Sequence, residues 1–298
     1  MKELAKAIRT VGLTKYYGEI PGVVGLDLDV KSGEIFGFLG PNGAGKTTTI
    51  RLLMDFIKPT SGTVEIFGLD AHRDALELRH MVGNLPGEFA FYPQQTGWEF
   101  LQIWGSLHGA TRDRSEMLAH RLDVDLSRKL GELSHGNKQK VGLIQAMMAN
   151  PELLILDEPA NGLDPLVQQT LYEILLELRN SGTTVFLSSH NLSEVQHVCD
   201  RVAVIREGKL IALDSVSNLR HQVVRTMQVT FKEDVDPSPL VGIGVQMAEH
   251  RGRSIVLLVE SDVGDLISRL AKMPVEDIVF PEPTVEDIFL AIYKGEHS

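Results

Sequence analysis

Residues Gly40–Thr48 read GPNGAGKTT, and Gly40, Gly45, Lys46 and Thr47 satisfy the spacing G-x-x-x-x-G-K-[ST]. The apolar run IFGFL (Ile35–Leu39) ahead of it reads as a buried strand, and TTIRLLMDFI behind it has helical spacing. Between a strand and a helix, successive backbone N–H groups from Asn42 to Thr48 can face one anion at a helix N-terminus, where the dipole also favours negative charge. Glycine lets the backbone approach phosphate oxygens without a Cβ in the way. The candidate nucleotide-binding set is therefore Gly40, Pro41, Asn42, Gly43, Ala44, Gly45, Lys46, Thr47 and Thr48. In it Lys46 would neutralise β/γ-phosphates and the Thr47 hydroxyl would ligate Mg²⁺.

A second candidate lies in LLILDEP, where Asp157 and Glu158 close an apolar strand. Alternation along a strand would point the two carboxylates in opposite directions, so their tasks should differ. Asp157 is suited to hold Mg²⁺, an ion that prefers one or two carboxylates plus phosphates. Glu158 is suited to orient or deprotonate an attacking water. A third candidate is His190, in SSH at the end of TTVFLS. A lone histidine at a strand end is more often structural, yet strand ends on one edge of a doubly wound sheet converge on ligand.

These segments need a scaffold, and the alternation of short apolar runs with helical patterns supplies one. IFGFL, LLIL and TTVFLS are continuous apolar strands of the kind buried on both faces, so an α/β core with a mostly parallel sheet is expected. Beyond about Arg220 the pattern changes to TMQVTF, VQMAEH and SIVLLVE around the turn RGR. The helical DVGDLISRLAKM, the strand DIVF and a last helix VEDIFLAIY follow. The expected division is residues 1–222 as the catalytic domain and 223–298 as a small accessory α+β domain.

The net charge of −11 and a pI near 5.4 give no global basic field, so no nucleic-acid partner is expected. A single cysteine, Cys199, excludes an intrachain disulfide and fits a reducing compartment. The N-terminus has no signal-peptide core, and no stretch approaches the roughly 18 apolar residues of a membrane span.

In order, GPNGAGKTT, LSHGNKQ, LLILDEP, NGLDP and SSH resemble the motifs of the nucleotide-binding subunits of ABC transporters, over about the first 220 residues. LSHGN directly before LLILDEP and NGLD directly after it separate this resemblance from GTPases and kinases. The resemblance implies a P-loop NTPase (ABC ATPase) core with antiparallel β and helical subdomains. It also implies a Mg²⁺-dependent ATPase acting as a head-to-tail dimer, whose two ATP sites each combine the phosphate loop of one subunit with the signature segment of the other.

By position, LSHGN is that signature. Ser134 and Gly136 would reach the γ-phosphate of the opposite site, with His135 and Asn137 beside them. Asp164 would lie in the loop linking the two sites, Glu158 would be the general base and His190 the switch histidine. Tyr17 would stack on adenine, with Tyr16 adjacent to it. Three positions depart from the family pattern. His135 replaces glycine, so its φ is expected to be negative and its ring must find room. Asn137 replaces glutamine but keeps an amide. Gly87, followed by Glu88, stands where a metal- and water-sensing glutamine is usual, so either Glu88 reaches in on a shifted backbone, the reading favoured here, or the site works without that ligand.

Phe89, Phe91, Tyr92, Trp98, Phe100 and Trp104 crowd one stretch, where the family receives a helix from its membrane partner. A mixture of core and docking aromatics is expected there. The motif variants, with the C-terminal PTVEDIFLAIY, resemble most the ABC-2-type exporter subgroup, whose permease is a separate chain. The subunit would then be cytoplasmic, peripheral on the inner membrane face. The alternatives are a soluble ABC ATPase acting on ribosomes or DNA, and a non-catalytic module, against which the intact Lys46, Asp157, Glu158 and His190 argue.

Overall fold

The computed structural model describes residues 6–87, 91–216, 218, 225–242, 244–259 and 263–281. Glu88, Phe89 and the helix expected at VEDIFLAIY lie outside the described residues. The chain divides into two compact units, residues 1–190 with 194–213, and residues 191–193 with 214–298.

In the first unit, strands β1 (Lys6–Tyr17), β2 (Ile20–Lys31), β4 (Ser61–Ile66) and β5 (Leu69–Asp70) form an antiparallel sheet in the order β2-β1-β4-β5. The central sheet contains β3 (Ile35–Leu39), β6 (Val82–Leu85), β7 (Leu153–Asp157), β8 (Thr184–Ser189), β9 (Arg201–Arg206) and β10 (Lys209–Ser215). Its order is β10-β9-β3-β8-β7-β6, and β9, β3, β8, β7 and β6 are mutually parallel.

Every residue of β3, β7 and β8 is buried, as their unbroken apolar runs require. Phe36 and Phe38 of β3 pack on Phe186 of β8 with ring centroids 5.9 and 5.5 Å apart. Burying each such ring contributes roughly 1.5–3 kcal/mol. The register pairs Leu39 with Ser189 and Asp157 with Ser188. The C-terminal ends of three neighbouring strands therefore finish level, at the edge where ligands bind in open parallel sheets.

Helix α1 (Lys46–Leu53) starts from Gly45 and is shorter than its sequence pattern. Asp55 takes a left-handed φ of 53°, and the N–H groups of Phe56 and Ile57 both turn back to the Arg51 carbonyl. Helices α2 (Ala75–Met81), α3 (Gly97–His108), α4 (Arg112–Arg121) and α5 (His135–Met147) follow. Thr96 and Glu99 form a capping box at the start of α3, and α3 and α4 both pack on α5. The unit is completed by α6 (Pro165–Asn180) and by α7 (Leu192–Val198) from Glu194 onward.

The second unit holds an antiparallel sheet of β11 (Arg225–Phe231), β12 (Val245–Arg251), β13 (Ser254–Val259) and β14 (Val275–Val279), in the order β12-β13-β11-β14. Helix α8 (Val263–Leu270) covers one face. Met227, Val229, Phe231, Ile255, Leu257 and Val259 alternate into a core with Leu266 and Leu270.

Candidate active site

The phosphate loop opens at Gly40, whose N–H donates to Ser189 O at 3.1 Å and whose missing Cβ would lie 2.4 Å from Ile205 O. At its other end Gly45 has a φ of 108°, and a Cβ there would meet Gly22 O at 2.4 Å. Both ends of the loop are thus wedged against backbone, and only glycine fits.

Lys46 is 5% exposed. Its ammonium donates to Gly40 O at 2.7 Å and Pro41 O at 3.1 Å, and lies 3.2 Å from Glu158 Oε1. The Thr47 hydroxyl donates to Asp157 Oδ2 at 2.7 Å.

Strand alternation would set Asp157 and Glu158 on opposite faces, and the structure corrects that expectation. β7 ends at Asp157, and Glu158 turns into the left-handed region with φ 49°. The turn brings both carboxylates to the same loop, Asp157 to Thr47 and Glu158 to Lys46. A left-handed residue other than glycine costs on the order of 1–3 kcal/mol and persists only where its surroundings hold it. Here the Glu158 N–H donates to Ser188 Oγ at 3.0 Å, and Gln139 Nε2 donates to the carbonyls of Glu158 and Pro159 at 3.2 Å each.

His190 joins the cluster, with Nδ1 2.9 Å from Glu158 Oε2. A carboxylate accepts, so Nδ1 carries the hydrogen in this pair. Ser188 Oγ donates to Asp157 Oδ1 at 2.5 Å. Ser188 and Gln139 were not singled out from sequence, although two hydroxyl residues closing an apolar strand were a readable signal. Past the strand, Glu194 is buried and accepts from Ser189 Oγ. Burial, and secondarily the charge of Glu158, push its carboxyl up to about 7.

The remaining sequence candidates sit around this cluster or apart from it. Tyr17 is 44% exposed, and a Cβ on Gly22 would touch its ring at 3.0 Å and Thr48 Cγ2 at 3.1 Å. Gly22 therefore links the Tyr17 ring to the phosphate loop. Gly87 backs onto the metal-type carboxylate, since a Cβ there would lie 2.8 Å from Asp157 Oδ2. Asp164 caps α6, accepting from Val167 N at 3.1 Å, with Pro165 at the first helical position.

Ser134 caps α5, accepting from Asn137 N at 3.3 Å. His135 opens that helix without a positive φ, and its exposed ring lies over Gly162. A Cβ on Gly162, whose φ is 74°, would fall 2.6 Å from His135 Cδ2. A Cβ on Gly136 would fall 2.4 Å from Gly162 O. The room that His135 requires is made by the glycine of NGLD.

A groove of about 770 Å³ runs outward from Thr47, Asp157 and Gly87, with Phe56, Leu76, Trp104 and Leu107 among its walls. Of the clustered aromatics, Phe100 is buried against Phe91 at 5.5 Å, Tyr92 is exposed, and Trp104 lines the groove.

A parallel sheet whose first loop wraps a buried lysine, with two acids and a histidine on the adjoining strand ends, defines a P-loop NTPase. The ABC transporter family model matches residues 23–161. The bacitracin transport ATP-binding protein BcrA of Bacillus licheniformis is 34% identical over 303 residues, covering 98% of this chain and 99% of that one. The daunorubicin resistance ATP-binding protein DrrA3 of Streptomyces coeruleorubidus is 32% identical over 95% of both chains. Among solved structures, an ATP-binding subunit of an ABC transporter superposes with a TM-score of 0.67 and 27% identity, over 72% of this chain and 92% of that one. The chain belongs to the ABC transporter family, as one of its ATP-binding, ATP-hydrolysing subunits. This sets aside a soluble cassette ATPase acting on ribosomes or DNA. Among the described residues no helix is long and apolar enough to cross a membrane.

Proposed function

We propose that this subunit uses Mg²⁺-ATP to drive export of a drug-like or antibiotic compound through a separate membrane permease, from the cytoplasmic face. The observation that carries the catalytic part is the double pairing of Lys46 with Glu158 and Thr47 with Asp157 across one loop. The printed names of relatives such as BcrA and DrrA3 support the substrate class.

The Lys46 ammonium is the charge that meets the β/γ-phosphates, exchanging the Glu158 carboxylate for phosphate oxygen. Thr47 and Asp157 present two convergent hard oxygens of the type Mg²⁺ selects, so they fit that ion. When bound, it would neutralise charge on the phosphates. Glu158 accepts the proton of the attacking water, and His190 holds its second oxygen in place. Tyr17 offers its exposed ring to adenine.

The signature acts in trans in a head-to-tail dimer. Helix α5 has no acidic residue in its first turn, so its N-terminus keeps its attraction for an anion. Ser134 accepts from its own helix while its O–H stays available to donate. The groove beside Trp104, with Phe56, Leu76 and Leu107 exposed, is the docking place for a permease segment. We assign residues 1–222 to the ATPase domain and 223–298 to an accessory one, whereas the compact units part after Leu213.

Lys46→Ala tests the reading directly. Nucleotide binding should be lost, and normal ATPase activity in that variant would refute the phosphate site. For the dimer, Lys46→Ala protein mixed with a Ser134→Ala/Gly136→Ala variant should regain activity above either parent. Activity no higher than either would refute the trans signature.

A further inference from the structure

The last two residues of β8 and the residue after it each make a contact that bears on the site. Ser188 holds Asp157 and the Glu158 N–H, the Ser189 carbonyl receives the Gly40 N–H, and His190 meets the Glu158 carboxylate. The stretch bearing His190 is then closed by one more bond. Ser189 Oγ donates to Oε2 of Glu194, five residues further on, at 2.5 Å.

Glu194 is 7% exposed, and its Oε1 has no hydrogen-bond partner among the described residues. A buried carboxyl with one oxygen unsatisfied costs stability, so it is not there to strengthen the fold. Its surroundings offer little compensation. Tyr172 of α6 and Cys199 are both pushed upward by burial, with the charge of Glu194 adding to each. Glu158, the charged group facing it from the site, repels it. What the carboxyl does achieve is geometric, because it ties down the residue immediately before His190.

We propose that Glu194 is a positioning residue for ATP turnover: through Ser189 it fixes the strand end that aims His190 at Glu158. This rests on the reading of Glu158 and His190 given above. Among the described residues Glu194 makes no hydrogen bond to the phosphate loop, so it acts on the rate of the chemical step and leaves nucleotide binding alone.

Steady-state ATPase kinetics and equilibrium ATP binding of the full chain test it. Glu194→Ala and Ser189→Ala should each lower kcat about tenfold while KM and ATP affinity stay within about twofold, as expected when a catalytic group is misplaced rather than removed. The double variant should be no slower than the slower single one, because each single variant already breaks the Ser189–Glu194 bond. Glu194→Gln, whose amide oxygen still accepts from Ser189, should keep most of kcat. In a His190→Ala background Glu194→Ala should add nothing.

Wild-type kcat in Ser189→Ala, or a Glu194 effect that multiplies with that of His190→Ala, would overturn the proposal. If Glu194→Ala does not fold, Ser189→Ala, which removes a single oxygen, decides alone. Wild-type turnover in Glu158→Gln and His190→Ala would instead remove the catalytic assignment beneath it, and is read separately.

Discussion

Glu158 leaves β7 in a left-handed conformation, and its carboxylate lies 3.2 Å from the buried ammonium of Lys46. The general-base candidate and the phosphate-binding lysine neutralise one another. Nucleotide phosphate and Glu158 therefore compete for the same cation, and removing the Glu158 charge has two consequences. Glu158→Gln should bind ATP more tightly than wild type, and its turnover should fall by roughly 10²–10⁴-fold through loss of the base. Filter binding and phosphate release measure the two separately.

Ser188 supports both acids at once, so it should matter although it touches no substrate. Ser188→Ala removes one partner from Asp157 and leaves the Glu158 N–H without its acceptor. The Mg²⁺ concentration for half-maximal activity should rise about 10- to 100-fold, the usual range for losing a group that orients a metal ligand. A Mg²⁺ titration at saturating ATP reads this out.

His135 and Gly162 should behave as a coupled pair. Gly162→Ala combines a left-handed φ with a Cβ 2.6 Å from the His135 ring, and should cost roughly 1–3 kcal/mol. Adding His135→Ala should recover the steric part only. Gly68→Ala, with φ 81° and open space around its Cβ, isolates the conformational part. Thermal melts of the variants and the double variant separate the two contributions.

The Glu194 carboxyl makes stability depend on pH in a definite direction. Its folded-state value is raised from 4.5 to about 7, so the native protein binds this proton more tightly than the unfolded chain. The stabilisation is complete below about pH 4.5 and is lost as pH rises to about 7, with no further change above it. The melting temperature of wild type relative to Glu194→Gln should therefore fall between pH 5 and 7 and level off by pH 8.

GPNGAGKTT between an apolar strand and a helix, and LLILDEP and SSH at strand ends, were enough to place Lys46, Thr47, Asp157, Glu158 and His190 near one edge of a parallel sheet. The reason is that burial on both faces leaves an unbroken apolar run, and phosphate binding needs glycine and lysine at set spacing. Strand alternation misdirected the orientation of Glu158, because the rule stops where the strand stops. A left-handed turn held by Ser188 and Gln139 from distant segments is not written in the local pattern.

The sequence by itself determined the class of site, its chemistry and the α/β scaffold, since these follow from local spacing and periodicity. Only the tertiary structure decided which atoms meet. The Lys46–Glu158 pair, the bond from Ser189 to the buried Glu194, and the Gly162 space beneath His135 depend on the register of β3, β8 and β7 and on chain turns. Pairing register and close packing join residues far apart along the chain, and no short-range pattern carries that information.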